Sequence, residues 1–159
     1  MLARRGAETQ LWGRDSERLS EMQQARENVR YLPGCHFPVK LTASADLRAA
    51  VQGVEDLLIA TPSHALRATL EAIKPWLSEG QGIACACKGL EPSTGRLVHE
   101  VIEDALGNAY PLAVISGPTF AKELGLGLPT AVTIASRDPK RCTSVGAASP
   151  VARATVWNE

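Results

Sequence analysis

The sequence lacks an excess of charge of either sign: 17 basic residues stand against 17 acidic ones in 159 positions. A balanced chain carries no electrostatic footprint for DNA or RNA, so nucleic acid is not an expected partner. No apolar run approaches the ~20 residues that a membrane-spanning helix needs. The start, Met1-Leu-Ala-Arg-Arg-Gly6, has two arginines but no apolar stretch behind them, and so does not read as a secretory signal. Cysteine is sparse, at positions 35, 85, 87 and 142. Cys85-Ala-Cys87 is a C-x-C without the second pair or spacing of a zinc site. Both thiols fall in an apparent buried strand, where cysteine behaves as a small hydrophobe. A reducing, cytoplasmic setting is the default for such a chain. None of His36, His64 and His99 lies near a cysteine at ligand spacing, so no metal is expected. There is no G-x-S-x-G, no H-E-x-x-H and no P-loop. Internal repeats and low-complexity segments are also missing.

What remains is the pattern of one α/β domain, and the length suffices for a proper core. Residues 1–5 read as the last turn of a helix, with Gly6 as its cap. Residues 8–12 alternate into a short strand ended by Gly13. Asp15 is placed to cap a helix over residues 16–28. A short strand is expected at 40–43, and Ser44 or Asp46 caps a helix through Val51. The continuous apolar run at 56–60 predicts a buried parallel strand. Thr61-Pro-Ser63 ends it, and a helix follows to about Ile73. Further strands are expected at 81–87 and 112–116, with a helix at 94–106 between them, capped by Gly107. A short helix begins at residues 119–124. Residues 128–135 form a strand around Pro129, expected at a sheet edge. Five strands besides that edge strand fit the alternation, which predicts a parallel, doubly wound sheet.

The strand ends carry the chemistry. Ligands of open α/β sheets bind at the carboxyl ends of the strands. Ile115-Ser-Gly-Pro-Thr-Phe-Ala-Lys-Glu123 and Cys87-Lys-Gly89 are apolar runs that stop in small residues with one polar or charged side chain. A lysine, backbone N–H groups and a threonine hydroxyl on that edge suit a phosphorylated or otherwise anionic small molecule. Lys88 is either a compact charge for a phosphate or carbonyl oxygen or a snorkelling surface lysine. Gly117 allows a ligand close to the backbone, while Thr119 offers a hydroxyl or caps the following helix. Pro62 stops its strand beside the crevice, which is also plain loop chemistry. Arg14 directly follows the strand at 8–12. There an arginine accommodates the 2′-phosphate of NADP, whereas an acid accepts the ribose of NAD. Neighbouring Asp15 leaves that choice open, and a solvated arginine beside a helix cap is the plain alternative.

Taken together, these residues resemble the NAD(P)-dependent glycerol-3-phosphate dehydrogenases of the bacterial biosynthetic type. The resemblance rests on Leu11-Trp-Gly-Arg-Asp15, Arg26-Glu-Asn28, Arg30-Tyr-Leu-Pro-Gly34, Thr61-Pro-Ser63, Lys88-Gly-Leu-Glu91, Thr94-Gly-Arg-Leu97, residues 115–123 and Gly127-Leu-Pro-Thr-Ala131, in the family's order and spacing. It implies reduction of dihydroxyacetone phosphate to sn-glycerol 3-phosphate by NADPH or NADH, for phospholipid synthesis. It implies cofactor contacts at Arg14, Tyr31, Pro62, Lys88 and Ala121, and substrate contacts at Lys88, Gly117 and Thr119. A homodimer is compatible with it.

The chain departs from that pattern in three ways. The family's first strand and its G-x-G-x-x-G loop, which seats a pyrophosphate on a helix N-terminus, are not in this sequence. The all-helical substrate domain is not there either, and with it the lysine that acts as general acid/base, so no catalytic residue is assigned. Cys87 stands where the family has a threonine. The expectation is therefore a partial dinucleotide-binding domain over residues 1–141 and a divergent tail over 142–159. Its sheet is an incomplete doubly wound (Rossmann-like) one, prone to aggregate, and it binds dinucleotide poorly without turnover. A degenerate, non-catalytic fragment or a partial module needing a partner chain is the competing expectation.

Overall fold

The computed structural model describes residues 2–138. Local chain chemistry accounts for most element boundaries. A 3₁₀ turn at Ala3–Arg5 closes on Gly6, whose φ of 97° only glycine adopts freely. Strand β1 (Thr9–Trp12) leads to helix α1 (Ser16–Ala25). The Asp15 carboxylate accepts the Arg18 backbone N–H at 3.0 Å, as an N-cap should. The helix stops at Ala25 rather than at 28 because Arg26 turns left-handed, with φ 54°. Its guanidinium bonds the carbonyls of Leu41 at 2.7 Å and Pro38 at 2.6 Å, which anchors the connecting loop. Strand β2 (Leu41–Ser44) follows, then α2 (Leu47–Val51), capped by Asp46 on the Ala49 N–H at 2.9 Å.

The second half alternates regularly. It comprises β3 (Asp56–Ile59), α3 (Ser63–Ile73), β4 (Gly82–Cys85), α4 (Val98–Leu106), β5 (Leu112–Ser116), α5 (Ala121–Leu126) and β6 (Thr133–Ser136). Helix α4 starts four residues later than expected, because residues 91–97 form a turn of their own. Thr94 and Gly95 both donate to the Glu91 carbonyl, and the Glu91 N–H bonds Arg96.

The strands form two sheets. β1 and β2 pair in parallel. The other sheet has the order β3-β4-β5-β6, parallel through β5. β6 runs antiparallel to β5 at the sheet edge, where the strand around Pro129 was expected, though it begins only at Thr133. Set against the doubly wound order 3-2-1-4-5-6, β2-β1 and β3-β4-β5 take the places 3-2 and 4-5-6. The incomplete doubly wound sheet is thus observed. β1 and β3 each have one neighbour among the described residues. The run at 56–60 was expected to be buried throughout. Instead Leu58 is 48% exposed, because it shares with Asp56 the face of β3 that lies away from the core.

The main core lies between α3, α4 and their sheet. Leu66, Leu70 and Ile73 of α3 meet Val98, Val101, Ile102 and Ala105 of α4 over Ile83 and Cys85. Both sets follow helical spacing, so each helix buries one stripe. Each fully buried Leu or Ile contributes about 1.5–3 kcal/mol. Val51 carries α2 into the same core, and the Gln81 amide bonds the carbonyls of Val51 and Val54 at 2.8 Å each. None of the described helices is long and apolar enough to cross a membrane. The tail assigned to 142–159, with Cys142, lies outside the described residues.

Candidate functional site

Two strand-end turns are brought together at the carboxyl edge of the larger sheet. Lys88 leaves β4 and reaches across so that its ammonium donates to the Thr119 carbonyl, beyond β5, at 3.0 Å. An ammonium has three donors, so two remain for a ligand. Lys88 is exposed on that edge, while Cys87 beneath it is buried. Pro62 occupies the N-terminal end of α3 with φ −57° and is exposed. Gly89, at φ 89°, lies so close to α3 that a Cβ on it would stand 3.8 Å from Ser63 Oγ. The turns after β3, β4 and β5 therefore converge, and this is where the sequence placed Pro62, Lys88 and Thr119.

Gly117 is required by packing. A Cβ there would meet the Ala131 carbonyl oxygen at 2.7 Å and the Val132 Cα at 3.1 Å. The turn is pressed against the strand leading into β6. Thr119 does not cap α5: the cap position belongs to Phe120, and no side chain serves it. The Thr119 N–H turns back to the Gly117 carbonyl at 2.8 Å. Ala121, the first residue of α5, is exposed beside this turn.

Cys87 stands between β3 and β4. Its sulfur lies 3.6 Å from the Thr61 hydroxyl and donates weakly to the Ile59 carbonyl at 3.8 Å. The hydrogen bond with Cys87, together with burial, pushes the Cys85 thiol above its ordinary range. Cys35, Cys85 and Cys87 are all free and buried, and burial of Cys85 and Cys87 is what their place in an apolar strand led one to expect.

Two other expected cofactor residues lie in the loops that flank α1, Arg14 before it and Tyr31 after it. Arg14 is exposed directly after β1. Tyr31 is stacked by two guanidinium groups, Arg18 at 4.2 Å and Arg30 at 5.3 Å from the ring centre. A groove of about 460 Å³ runs alongside, lined by Asp15, Arg18, Met22, Asn28 and Arg30. His64 and His36 are exposed, and no cluster of metal-ligating side chains occurs among the described residues.

One element of this edge escaped the sequence reading. Glu91 is 5% exposed and is gripped by Arg67 of α3, whose Nε and Nη2 donate at 2.7 and 3.2 Å. The Thr94 hydroxyl bonds the same carboxylate, and Arg67 Nη1 reaches Asp104 of α4 at 2.7 Å. The Arg67 guanidinium, with the Thr94 hydroxyl, holds the Glu91 carboxyl at about 2. Arg67, chiefly by its bond to Glu91, is raised above its usual range, and Asp104 is lowered by Arg67. Nothing local in the sequence signals the pairing, because its partners are 24 positions apart.

The sequence model of the NAD-dependent glycerol-3-phosphate dehydrogenase N-terminus matches residues 1–142. The chain belongs to this family. It is 49% identical over 136 residues to glycerol-3-phosphate dehydrogenase [NAD(P)+] of Idiomarina loihiensis, covering 86% of this chain and 41% of that protein. The same enzyme of Stenotrophomonas maltophilia is 47% identical over 148 residues, or 93% of this chain and 43% of that protein. A crystal structure of glycerol-3-phosphate dehydrogenase from Coxiella burnetii superposes with a TM-score of 0.90 at 38% identity, over 99% of this chain and 49% of that one. The chain thus spans about two fifths of the length of the curated relatives it matches. A pyrroline-5-carboxylate reductase from the same organism shares the fold, with a TM-score of 0.69 at 14% identity. The fold and the family expected from the motifs both hold.

Proposed function

We propose that this chain is the cofactor-binding half of an NAD(P)-dependent glycerol-3-phosphate dehydrogenase. In this reading the complete enzyme reduces dihydroxyacetone phosphate to sn-glycerol 3-phosphate for phospholipid synthesis. The observation that carries the reading is the reach of Lys88 onto the Thr119 carbonyl. It draws both strand-end turns, from a family that matches residues 1–142, around one ammonium group.

The residues present fit the two ends of a nicotinamide dinucleotide. Exposed Arg14 after β1 stands where an arginine meets the adenosine ribose or its 2′-phosphate. Tyr31 joins that end between Arg18 and Arg30. Pro62, Lys88 and Ala121 border the nicotinamide end. No glycine-rich strand-to-helix turn for the pyrophosphate occurs among the described residues. When bound, the nicotinamide supplies the hydride. Lys88 provides a compact positive charge that holds a phosphate or draws electron density from a carbonyl oxygen. Gly117 admits the substrate close to the backbone, and the Thr119 hydroxyl is the neighbouring polar contact. No proton donor is assigned among the described residues.

The reading includes a cytoplasmic location, in keeping with the three free, buried cysteines, and a homodimeric assembly. Balanced charge supports small molecules rather than nucleic acid as its ligands. The test is binding of sn-glycerol 3-phosphate followed by phosphorus NMR line broadening. Saturable broadening that disappears in Lys88→Ala is expected. Equal broadening in Lys88→Ala overturns the assignment of Lys88.

A further inference from the structure

We infer that Glu91 and Arg67 are positioning residues for Lys88, forming a buried ionic clamp that fixes where its ammonium sits at the sheet edge. The inference rests on the functional reading of Lys88 above and goes beyond it. Lys88-Gly89-Leu90 is a short span between two anchors. At one end stands β4, whose last ladder residue, Cys85, pairs with both β3 and β5. At the other stands Glu91. Its backbone closes the turn through Arg96, Thr94 and Gly95, and its carboxylate is tied to Arg67 by two hydrogen bonds.

The anchoring is rigid for three reasons. A bidentate guanidinium–carboxylate pair fixes direction as well as distance. Arg67 belongs to α3, whose neighbours Leu66 and Leu70 are almost wholly buried, so the clamp is mounted on the core. Arg67 is itself held by Asp104 of α4, which also pairs with Arg96 at 3.5 Å. Both helices that cover the sheet thus grip the turn that carries Lys88. Lys88 is exposed and flexible by nature, yet Nζ is held on Thr119 across 31 positions of sequence. Fixing the turn restricts the volume its four-carbon stem can sweep. A charge of this kind serves binding or catalysis only if it is held in place beforehand.

The experiment measures the rate of acetylation of each lysine in the full chain by acetic anhydride as a function of pH, with peptides quantified by mass spectrometry. Lys122 and Lys40, which no contact links to the clamp, serve as internal references. Glu91→Gln and Arg67→Ala are compared with the unsubstituted chain. The expected result is a rise of about fivefold in Lys88 reactivity in both variants, what release of one ordinary hydrogen bond gives. Lys122 and Lys40 stay unchanged, and the double variant shows no further rise. Unchanged Lys88 reactivity overturns the inference. So does an equal rise at all three lysines, which would report general loosening. Protection of Lys88 by NADPH in the unsubstituted chain is a separate arm. If NADPH does not protect Lys88 while the variants release it, the functional reading fails and the clamp stands.

Discussion

Replacing Gly117 by alanine should destabilise this chain more than alanine at any exposed turn glycine. The reason is specific to its place at the β5 end. At φ 154° its backbone lies in a region that side chains rarely adopt, and the added Cβ would meet the Ala131 carbonyl oxygen at 2.7 Å. That neighbour is backbone, held by the pairing of β6 with β5, so it cannot simply rotate away. The backbone strain costs roughly 1–3 kcal/mol. Forcing a methyl into filled space costs about 1–3 kcal/mol more. A total of about 2–6 kcal/mol is a large share of the 5–15 kcal/mol typical of a domain. With a urea dependence of about 2 kcal/mol per molar, the unfolding midpoint should fall by roughly 1–3 M. Gly95→Ala is the control. Its φ is 71°, but no atom lies within 4 Å of the new Cβ, so only the strain term acts there. The assay is urea unfolding followed by far-ultraviolet circular dichroism on both variants. A Gly117→Ala midpoint equal to that of Gly95→Ala would refute the packing argument.

Three further outcomes follow from the same structure. Leu70→Ala, at a position with no exposure in the α3–α4 core, should cost about 2–5 kcal/mol by the same assay. The Glu91 carboxyl titrates at about 2 in the folded chain, below the ordinary value near 4.3. Its contribution is therefore present above that ordinary value and is lost as pH falls from there towards 2; in Glu91→Gln, acid unfolding curves should lose this component and leave the rest. Leu58→Lys places a charge on the open edge of β3, where Leu58 is half exposed, and should slow aggregation as followed by light scattering; faster aggregation would contradict the edge assignment.

The fold was legible where local chemistry and tertiary context agree. Asp15 and Asp46 cap the helices they were expected to cap, and the α3 and β5 boundaries follow from apolar spacing and from Pro62 and Gly117. Legibility failed where a distant partner decides. Arg26 ends α1 early because its guanidinium finds carbonyls 12 and 15 residues away. The start of α4 is delayed by a turn built around Glu91, whose charge partner lies on another helix. An apolar run cannot show that one face of its strand is left uncovered, so Leu58 was misjudged. At the site, the converging turns were readable from strand ends in small residues. That Lys88 reaches Thr119, and that Tyr31 is flanked by Arg18 and Arg30, depends on side-chain placement no spacing encodes.

The central claim is most directly tested by titrating the purified chain with NADPH, followed by nucleotide fluorescence, with NADH alongside. The account predicts weak but saturable NADPH binding that falls in Arg14→Ala and in Lys88→Ala, with Arg14→Ala affecting NADPH more than NADH. Binding that is indifferent to both substitutions, or no saturable binding by a chain whose circular dichroism shows it folded, would contradict the assignment of this edge as the cofactor site.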